Sequence, residues 1–343
     1  MAGKIFSTAE AQSCRDERSP PLRGDLVNQI ELPAGMVESW VQFPACDGQW
    51  LRGNLILPGD GVTPRSSAIL SLHGYGGLRD GPHNLLTSLL REAARQGFAS
   101  LRFDLRGRGE SDGDPRQTTL ATMAEDAIAA ARFLKEKSGC EHLVLLGICS
   151  GGNLAIACLD RIPNVSGLFL LSVFPFGEDD DFGQRLNRGF HLWRSYLQKA
   201  LRPDTWKRLV RGQLNLKLIS KILLKPFLEK PKIIAEEQPA KDGTGTNKET
   251  KTQQSSRSPV TNLQLFSGKI EMIYGDTDPD FQRSREYFQR HLDRSPAEAT
   301  IHVIAGANHN FYSLAWTQEI SERFGSFLCG VTRDKGVRYE TSE

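Results

Sequence analysis

The sequence predicts an α/β fold with a mostly parallel central sheet that helices cover on both faces. Apolar runs alternate with stretches of helical spacing along most of the 343 residues. The runs are continuously apolar, which is typical of strands buried on both faces of a parallel sheet. Glycine ends several of them, where the chain must turn into a loop.

The elements follow one another in a regular order. Two strand-like runs at 36–43 and 50–58 flank a short polar turn and predict an antiparallel hairpin. Further strands are predicted at six apolar runs, 67–74, 97–107, 142–147, 165–173, 269–275 and 300–306. Helical spacing predicts helices over 85–96, 120–137, 150–159, 281–292 and 314–328.

The alternation is interrupted once, and this divides the chain. The sheet domain is predicted to comprise 31–175 and 262–333, and an inserted helical cap is predicted over 176–234. The stretch 235–261 has no hydrophobic pattern and predicts a disordered linker. The polar ends predict two tails, a flexible N-terminal one over 1–30 and a C-terminal one over 334–343.

The predicted cap is strongly basic. Residues 185–232 contain 13 Lys or Arg and two acids, a net charge of +11, so the rest of a chain of net charge +2 carries −9. One interpretation is a cap whose apolar face covers the core. The other is a basic amphipathic surface that meets anionic lipid, as a peripheral membrane contact, or an acidic substrate.

Composition and short motifs also bear on whether the protein is a membrane, secreted, metal-binding or nucleic-acid-binding protein. No apolar run approaches the ~18 residues that span a bilayer, and the first residues lack the apolar segment of a secretory signal. Six cysteines without a CxxC pair favour reduced thiols in a cytoplasmic protein. The histidines form no HxH or HExxH pair, so we expect neither a metal site nor a cofactor. The overall charge gives no indication of a nucleic-acid partner.

One predicted strand runs into a sharp turn in the sequence LVLLGICSGGNLAIA. Some enzymes place a nucleophile on such a strand-to-helix turn, where strand and helix crowd together and the residues two before and two after it must be very small. Cys149 has Gly147 and Gly151 at these positions, whereas a central Ser150 would follow the β-branched Ile148. The spacing favours Cys149. A nucleophilic Ser150 and a purely structural cysteine are the alternatives.

With Cys149 as the nucleophile, Ser150 begins the next helix, and its backbone N–H faces the oxyanion that acyl transfer generates. Gly152 allows that helix to pack closely. Four other polar motifs follow predicted strands: HGYGG at 73–77, DLRGRGES at 104–111, YGDTDPD at 274–280 and IAGANHNF at 304–311. Open α/β sheets build their sites from loops in this position.

Together these motifs resemble the α/β-hydrolase superfamily, and the resemblance covers most of the chain outside 176–261. It implies the α/β-hydrolase fold and a triad in the chain order nucleophile, acid, base, here Cys149, Asp278 and His309. Asp276 is the competing candidate for the acid, because it also lies in the loop that resembles the G-x-x-D motif.

The resemblance also assigns roles to other loop residues. The HG-x-G loop of the superfamily supplies a second oxyanion donor, which is here the backbone N–H of Tyr75. Asp104 and Arg106 in the DLRGRGES loop are expected to hold loops together rather than to catalyse. His302 lies inside a predicted strand and is expected to be structural.

Cysteine stands where most members of the superfamily carry serine. The G-x-C-x-G-G pattern resembles dienelactone hydrolases and polyhydroxyalkanoate synthases. The loops HGYGG and DLRGRGES look closer to capped lipases and serine-aminopeptidase-like hydrolases. A weaker resemblance connects the cap and elbow to hydrolases encoded with exopolysaccharide and exosortase systems.

The predicted function is hydrolysis of ester or thioester bonds through a Cys–His–Asp triad and a covalent acyl-enzyme. The substrate is expected to be a small-molecule or lipid-like acyl compound. One alternative is an acyltransferase that uses an acyl-thioester donor. Another is a non-enzymatic scaffold of the same fold that binds a partner or membrane through its basic cap. The sequence leaves the oligomeric state open.

Overall fold

The structure is a computed structural model that describes residues 36–176 and 257–331. Eight strands occur in this part of the chain: β1 Met36–Pro44, β2 Trp50–Pro58, β3 Ser67–Leu72, β4 Ser100–Phe103, β5 His142–Ile148, β6 Val165–Leu171, β7 Lys269–Gly275 and β8 Glu298–Ile304. Six α-helices accompany them: α1 Leu85–Arg95, α2 Leu120–Ser138, α3 Ser150–Ala157, α4 Pro259–Leu265, α5 Phe281–Leu292 and α6 Leu314–Val331.

The strands form one sheet in the order β1-β2-β4-β3-β5-β6-β7-β8. The predicted hairpin is confirmed, because β1 pairs antiparallel with β2 from Met36 opposite Pro58 to Pro44 opposite Trp50. Strand β2 is also antiparallel to β4, and all later neighbours pair in parallel. The parallel strands therefore end at one common edge of the sheet, where their loops meet.

Helices and sheet enclose a continuous core. Every residue of β3 and β4 is buried, as expected for strands covered on both faces. Helices α1 and α6 pack together with alternate residues of the central strands. Phe169 of β6 makes edge-to-face contacts with Phe324 and Phe327 of α6, at centroid distances of 4.8 and 5.3 Å. The sheet is thereby a rigid base for the loops at its carboxyl edge.

Several element ends differ by a few residues from their predictions, and one domain boundary differs as well. Helix α4 begins at Pro259, so the disordered linker predicted over 235–261 is wrong at its end. The cause is local: the Ser258 hydroxyl accepts a hydrogen bond from the N–H of Thr261 at 3.2 Å, and Pro259 occupies the first helical position with its φ already fixed. The sequence Ser-Pro was the signal for this helix start.

Several predicted regions lie outside the described residues. These are both tails, nearly all of the basic cap and most of the linker, so the domain boundaries there remain predictions. Within the described residues, no helix is long and apolar enough to cross a membrane.

Candidate active site

The turn between β5 and α3 holds Cys149 in a strained backbone conformation. Its φ is +55° and its ψ −128°, and Cys149 is the residue that caps α3. A non-glycine residue in such a region costs about 1–3 kcal/mol and persists only where the surroundings impose it. The hydrogen bond from the N–H of Cys149 to the carbonyl of Leu171, 2.8 Å, ties the turn to β6. The half-buried side chain lies at the carboxyl edge of the sheet.

The glycines around Cys149 are required by crowding. A Cβ on Gly147 would lie 2.5 Å from the Cα of Gly152, because strand and helix touch there. A Cβ on Gly151 would overlap the backbone carbonyl of Leu72 at the end of β3. A Cβ on Gly152 would overlap a methyl group of Val173. The three predicted elbow glycines therefore lie where no side chain fits.

Ser150 is not placed as the exposed residue of the turn. It is the first residue of α3, it is 2 % exposed, and it has a helical environment rather than the strained one of Cys149. Its backbone N–H opens the helix and has no preceding turn to bond to. Its hydroxyl accepts a hydrogen bond from the backbone N–H of Tyr75 at 2.6 Å. The second expected oxyanion donor therefore already has an acceptor.

The loop after β3 comes close to the thiol. A Cβ on Gly74 would lie 3.7 Å from the Sγ of Cys149, so a glycine keeps this approach open. The preceding residue, His73, is 1 % exposed, and its Nε2 accepts a hydrogen bond from the N–H of Leu105 at 3.0 Å. Its Nδ1 bonds to the carbonyl of Gly74 at 2.7 Å. Burial lowers the pKa of His73, and the neutral ring joins two loops.

His309 and Asp278 meet across the loops that follow β8 and β7. The Nδ1 of His309 lies 2.6 Å from the Oδ2 of Asp278, whose side chain is almost fully buried. The competing carboxylate, Asp276, is exposed and accepts a hydrogen bond from the N–H of Gly306 at 2.7 Å. The fold therefore brings Asp278 to the imidazole and leaves Asp276 to stabilise a turn.

The surroundings of His309 favour its protonated form. Burial by itself lowers the pKa of His309, but hydrogen-bonding and electrostatic interactions with Asp278 and Cys149 raise it to about 10. Asp278 holds Nδ1 of the imidazole, and Cys149 is a second neighbour that raises the pKa of His309. Asp278, His309 and Cys149 are therefore the candidates for a catalytic triad.

Ser172 is a residue of this site that sequence reasoning missed. It follows β6 with a φ of +48°, is 1 % exposed, and donates a hydrogen bond from its hydroxyl to the carbonyl of His309 at 3.0 Å. Its own N–H bonds to the carbonyl of Ile273 at 2.9 Å. The segment LSVF carries no motif, so no local signal marked Ser172.

The loop after β4 holds the chain together, as expected for Asp104 and Arg106. Asp104 accepts hydrogen bonds from the N–H and the guanidinium of Arg79. Arg106 makes several hydrogen bonds to the buried carboxylate of Asp126, the shortest at 2.6 Å. His302, the other histidine near the sheet end, lies 2.6 Å from Glu319 of α6 and has a structural contact.

No metal centre accompanies these groups in the described part of the chain. No cluster of three or more His, Cys, Asp or Glu side chains suited to a metal ion occurs among residues 36–176 and 257–331. The chemistry available at the site is that of a thiol, an imidazole, a carboxylate and backbone N–H donors.

A parallel sheet with one antiparallel strand and a strained strand-to-helix turn after a central strand is typical of hydrolase-fold proteins. Residues 69–323 match the alpha/beta hydrolase family, and the chain belongs to that family. The resemblance that the sequence motifs suggested is therefore confirmed at the level of family and fold.

Curated relatives align over part of the chain. A lysophosphatidylserine lipase from Danio rerio is 28% identical over 131 residues, 38% of this chain and 30% of its own length. A thiohydrolase from Aspergillus aculeatus is 33% identical over 128 residues, 36% of this chain and 38% of its own. A polyketide transferase from a Penicillium species is 31% identical over 120 residues, 34% of this chain and 38% of its own. The chain thus spans about a third of these relatives' length.

Solved structures share the fold at low sequence identity. An esterase from Pyrococcus furiosus superposes with a TM-score of 0.57 at 19% identity, covering 85% of this chain and 90% of that chain. A Butyrivibrio proteoclasticus protein with bound ferulic acid has a TM-score of 0.54 at 17% identity, covering 84% and 98%. These likenesses show the architecture and leave substrate and chemistry to the residues of this chain.

Proposed function

We propose that the protein cleaves ester or thioester bonds through a covalent acyl-enzyme on Cys149. Two observations support this proposal: the 2.6 Å contact between His309 and Asp278, and the strained backbone of Cys149 in the turn between β5 and α3. Buried structural cysteines have no need of a backbone in the left-handed region. The strain is better accounted for by a side chain that must project toward a substrate.

Each member of the triad has a distinct task. Asp278 fixes the ring orientation and the tautomer of His309. His309 keeps the proton of Cys149, the thiolate attacks the carbonyl carbon, and a carbon–sulfur bond forms. The tetrahedral intermediate collapses, and the leaving alcohol or thiol takes the proton from His309. Water, deprotonated by His309, then attacks the thioester, and the acid and the free thiolate are released.

The oxyanion would be stabilised by the backbone N–H groups of Ser150 and Tyr75. The N–H of Tyr75 is bonded to the Ser150 hydroxyl, so this donor serves an oxyanion only if it is shared or if the hydroxyl turns away. A hydroxyl rotates readily about its χ1 bond, and the backbone around it does not have to move. We therefore assign Ser150 two roles in the site. Its backbone N–H donates to the oxyanion, and its hydroxyl accepts the N–H of Tyr75 until the oxyanion forms.

Acyl transfer to a second acceptor is the closest alternative. A thioester hands its acyl group to water, an alcohol or an amine, and the partially aligned relatives include a thiohydrolase and a polyketide transferase. Product analysis with and without an added alcohol or amine separates the two. Ester or amide formation at the expense of free acid would favour the transferase.

The decisive experiment is intact mass with peptide mapping after brief exposure to p-nitrophenyl butyrate. We expect one butyryl group on Cys149, and none on Cys149 in His309→Ala. Cys46 is exposed and serves as an internal control for unspecific thiol acylation. Equal labelling of Cys46 and Cys149 would contradict the proposal.

A fast enzyme could turn over without accumulating an adduct, so p-nitrophenol release is followed in parallel. Release that disappears in Cys149→Ala supports the enzyme. If neither an acyl adduct nor p-nitrophenol release is detected for several acyl lengths, the results favour the non-enzymatic scaffold. That hypothesis expects liposome or partner binding through 185–232 that survives Cys149→Ala.

A further inference from the structure

Arg108 lies against the loop that carries the proposed oxyanion donor. Its guanidinium carbon is 4.4 Å from the centroid of the Tyr75 ring. Its Nε–H donates a hydrogen bond to the carbonyl of Tyr75 at 2.7 Å. The cation therefore has two points of attachment to the same residue, and its position is fixed before any ligand arrives.

Arg108 differs from the other arginines of its neighbourhood in one respect. Arg79, Arg102 and Arg106 each form ion pairs with two carboxylates. Across the described residues, Arg108 has no carboxylate partner, and its Nη2 donates no hydrogen bond. Its Nη1 makes only a long contact of 3.4 Å with the carbonyl of Gly107.

The Nη1 and Nη2 groups of this guanidinium are thus available to donate hydrogen bonds to a ligand. Arginine presents Nη1 and Nη2 as a planar fork that matches two oxygens of a carboxylate or a phosphate. Arg108 is half-buried, held in position, and without a carboxylate partner in 36–176 and 257–331, so it is a suitable site for such a group.

The position of Arg108 connects this edge to the thiol. The backbone N–H of Tyr75 contacts Ser150, which directly follows Cys149, and Gly74 next to Tyr75 borders the thiol. Arg108 and Cys149 thus lie beside adjacent residues of one loop, Tyr75 and Gly74. We therefore consider a substrate that places a carbonyl at Cys149 and an anionic group at Arg108.

We propose that Arg108 binds an anionic group of the substrate, a carboxylate or a phosphate, and so selects negatively charged acyl compounds. This proposal rests on the proposed function of Cys149, whose substrate class it narrows. The anion can belong to the acyl chain, as in a dicarboxylic acid monoester, or to the leaving group, as in a phosphorylated thiol.

The test compares substrates that differ in one charged group. For the acyl chain, the pair is the mono-p-nitrophenyl ester of suberic acid and that of suberamic acid, in which an amide replaces the free carboxylate. For the leaving group, the pair is S-butyryl-4′-phosphopantetheine and S-butyrylpantetheine. The variants are Arg108→Gln and Arg108→Lys. Arg116→Gln is the matched control, because the Arg116 side chain is 88% exposed and forms an ion pair with Asp114, two positions before it in the chain.

We expect Arg108→Gln to lower kcat/KM for one anionic substrate by about 10- to 100-fold, the effect of one charge-assisted hydrogen-bonding pair. The matched neutral substrate should change much less, and Arg108→Lys should restore part of the loss. The pair that responds identifies the source of the anion. Equal losses for charged and neutral substrates would mean that Arg108 only positions Tyr75, and no loss in either pair would overturn the proposal.

Binding separates this proposal from that for Cys149. Titration calorimetry of the two suberic acid derivatives with Cys149→Ala needs no turnover. Tighter binding of the carboxylate, lost in Cys149→Ala/Arg108→Gln, supports the anion site even if wild-type enzyme forms no acyl adduct. Equal binding of both derivatives contradicts an anion site for the acyl chain, and equal binding of S-butyryl-4′-phosphopantetheine and S-butyrylpantetheine contradicts one for the leaving group, even if Cys149 is acylated.

Discussion

Two polar clusters lie at the carboxyl edge of the same sheet and differ in how their groups are satisfied. The arginine network, which consists of Arg79, Arg102 and Arg106 with their carboxylate partners, pairs each charge with at least one opposite charge. In the candidate triad, by contrast, a buried carboxylate contacts an imidazole, and a half-buried thiol is the last group beside that imidazole. Charged groups that are all ion-paired hold loops in place, whereas a thiol at the end of such a series of groups remains free to react.

The backbone shows the same difference. The residues of the arginine network have no positive φ, while Cys149 and Ser172 in or beside the candidate triad do. We therefore expect the ion-paired arginine network to contribute to stability and the strained candidate triad to contribute to chemistry. Substitutions in the two clusters should therefore affect different observables.

The largest expected effect is on turnover by Cys149→Ala, which should reduce p-nitrophenyl ester hydrolysis to the background rate. The thiol is the only proposed bond-forming group, and the folded structure should survive its loss. Cys158 in the turn after α3 is the matched control, because it is fully buried and burial raises its pKa to about 12. Cys158→Ala should reduce stability in a urea titration and leave kcat per folded molecule unchanged. The opposite pattern would exchange the roles of the two cysteines.

The second largest effect is expected for Asp278→Asn. This substitution should lower kcat by about 10³- to 10⁴-fold, because the amide no longer favours the productive tautomer of His309. The control is Asp276→Asn, which removes only a turn contact and should leave kcat nearly unchanged. Steady-state kinetics on both purified variants decide the assignment. A larger loss in the Asp276 variant would make Asp276 the acid.

Asp278→Asn also has a consequence for stability against pH. The folded-state pKa of His309 is about 10, above its ordinary 6.5, so protonated His309 contributes stability that is fully present below about pH 6.5. This contribution is lost as the pH rises through 10. The difference in free energy of unfolding between wild type and variant should therefore shrink from pH 6.5 to 10. A difference independent of pH would mean that His309 and Asp278 do not share a proton in the folded state.

In the arginine network, Asp126→Asn should lower the free energy of unfolding by about 3–5 kcal/mol, because it leaves the charge of Arg106 poorly compensated in the interior. The side chain of Asp126 is fully buried and that of Arg106 nearly so. Urea denaturation measures the loss, and kcat corrected for the folded fraction should stay close to wild type. If the variant were stable but had a lower kcat, the arginine network would contribute to catalysis, and the expected difference in role between the two clusters would be wrong.

The smallest expected effect is that of Ser150→Ala. The substitution keeps the backbone N–H and frees the N–H of Tyr75 from its hydroxyl partner, so much of the turnover should remain. The measurement is kcat and KM beside Cys149→Ala under identical conditions. A complete loss in Ser150→Ala, with activity retained in Cys149→Ala, would reverse the assignment of the nucleophile.

Much of the fold followed from the sequence because its signals are local. Helix α5 occupies the predicted 281–292, and strand β7 the predicted 269–275, since apolar periodicity and flanking glycines act over a few residues. The short helix α4 was missed because only a Ser-Pro start marked it within a polar stretch.

The sequence by itself determined the order of strands and helices, the position of Cys149 between small residues, and the candidate loops for acid and base. Only the tertiary structure decided which loop groups meet. It brought Asp278 rather than Asp276 to His309, gave Tyr75 an acceptor on Ser150, placed Ser172 behind His309 and held Arg108 against the carbonyl of Tyr75. Turn geometry is encoded within a few residues, whereas these contacts join segments up to 137 residues apart and depend on how the whole sheet aligns its edge.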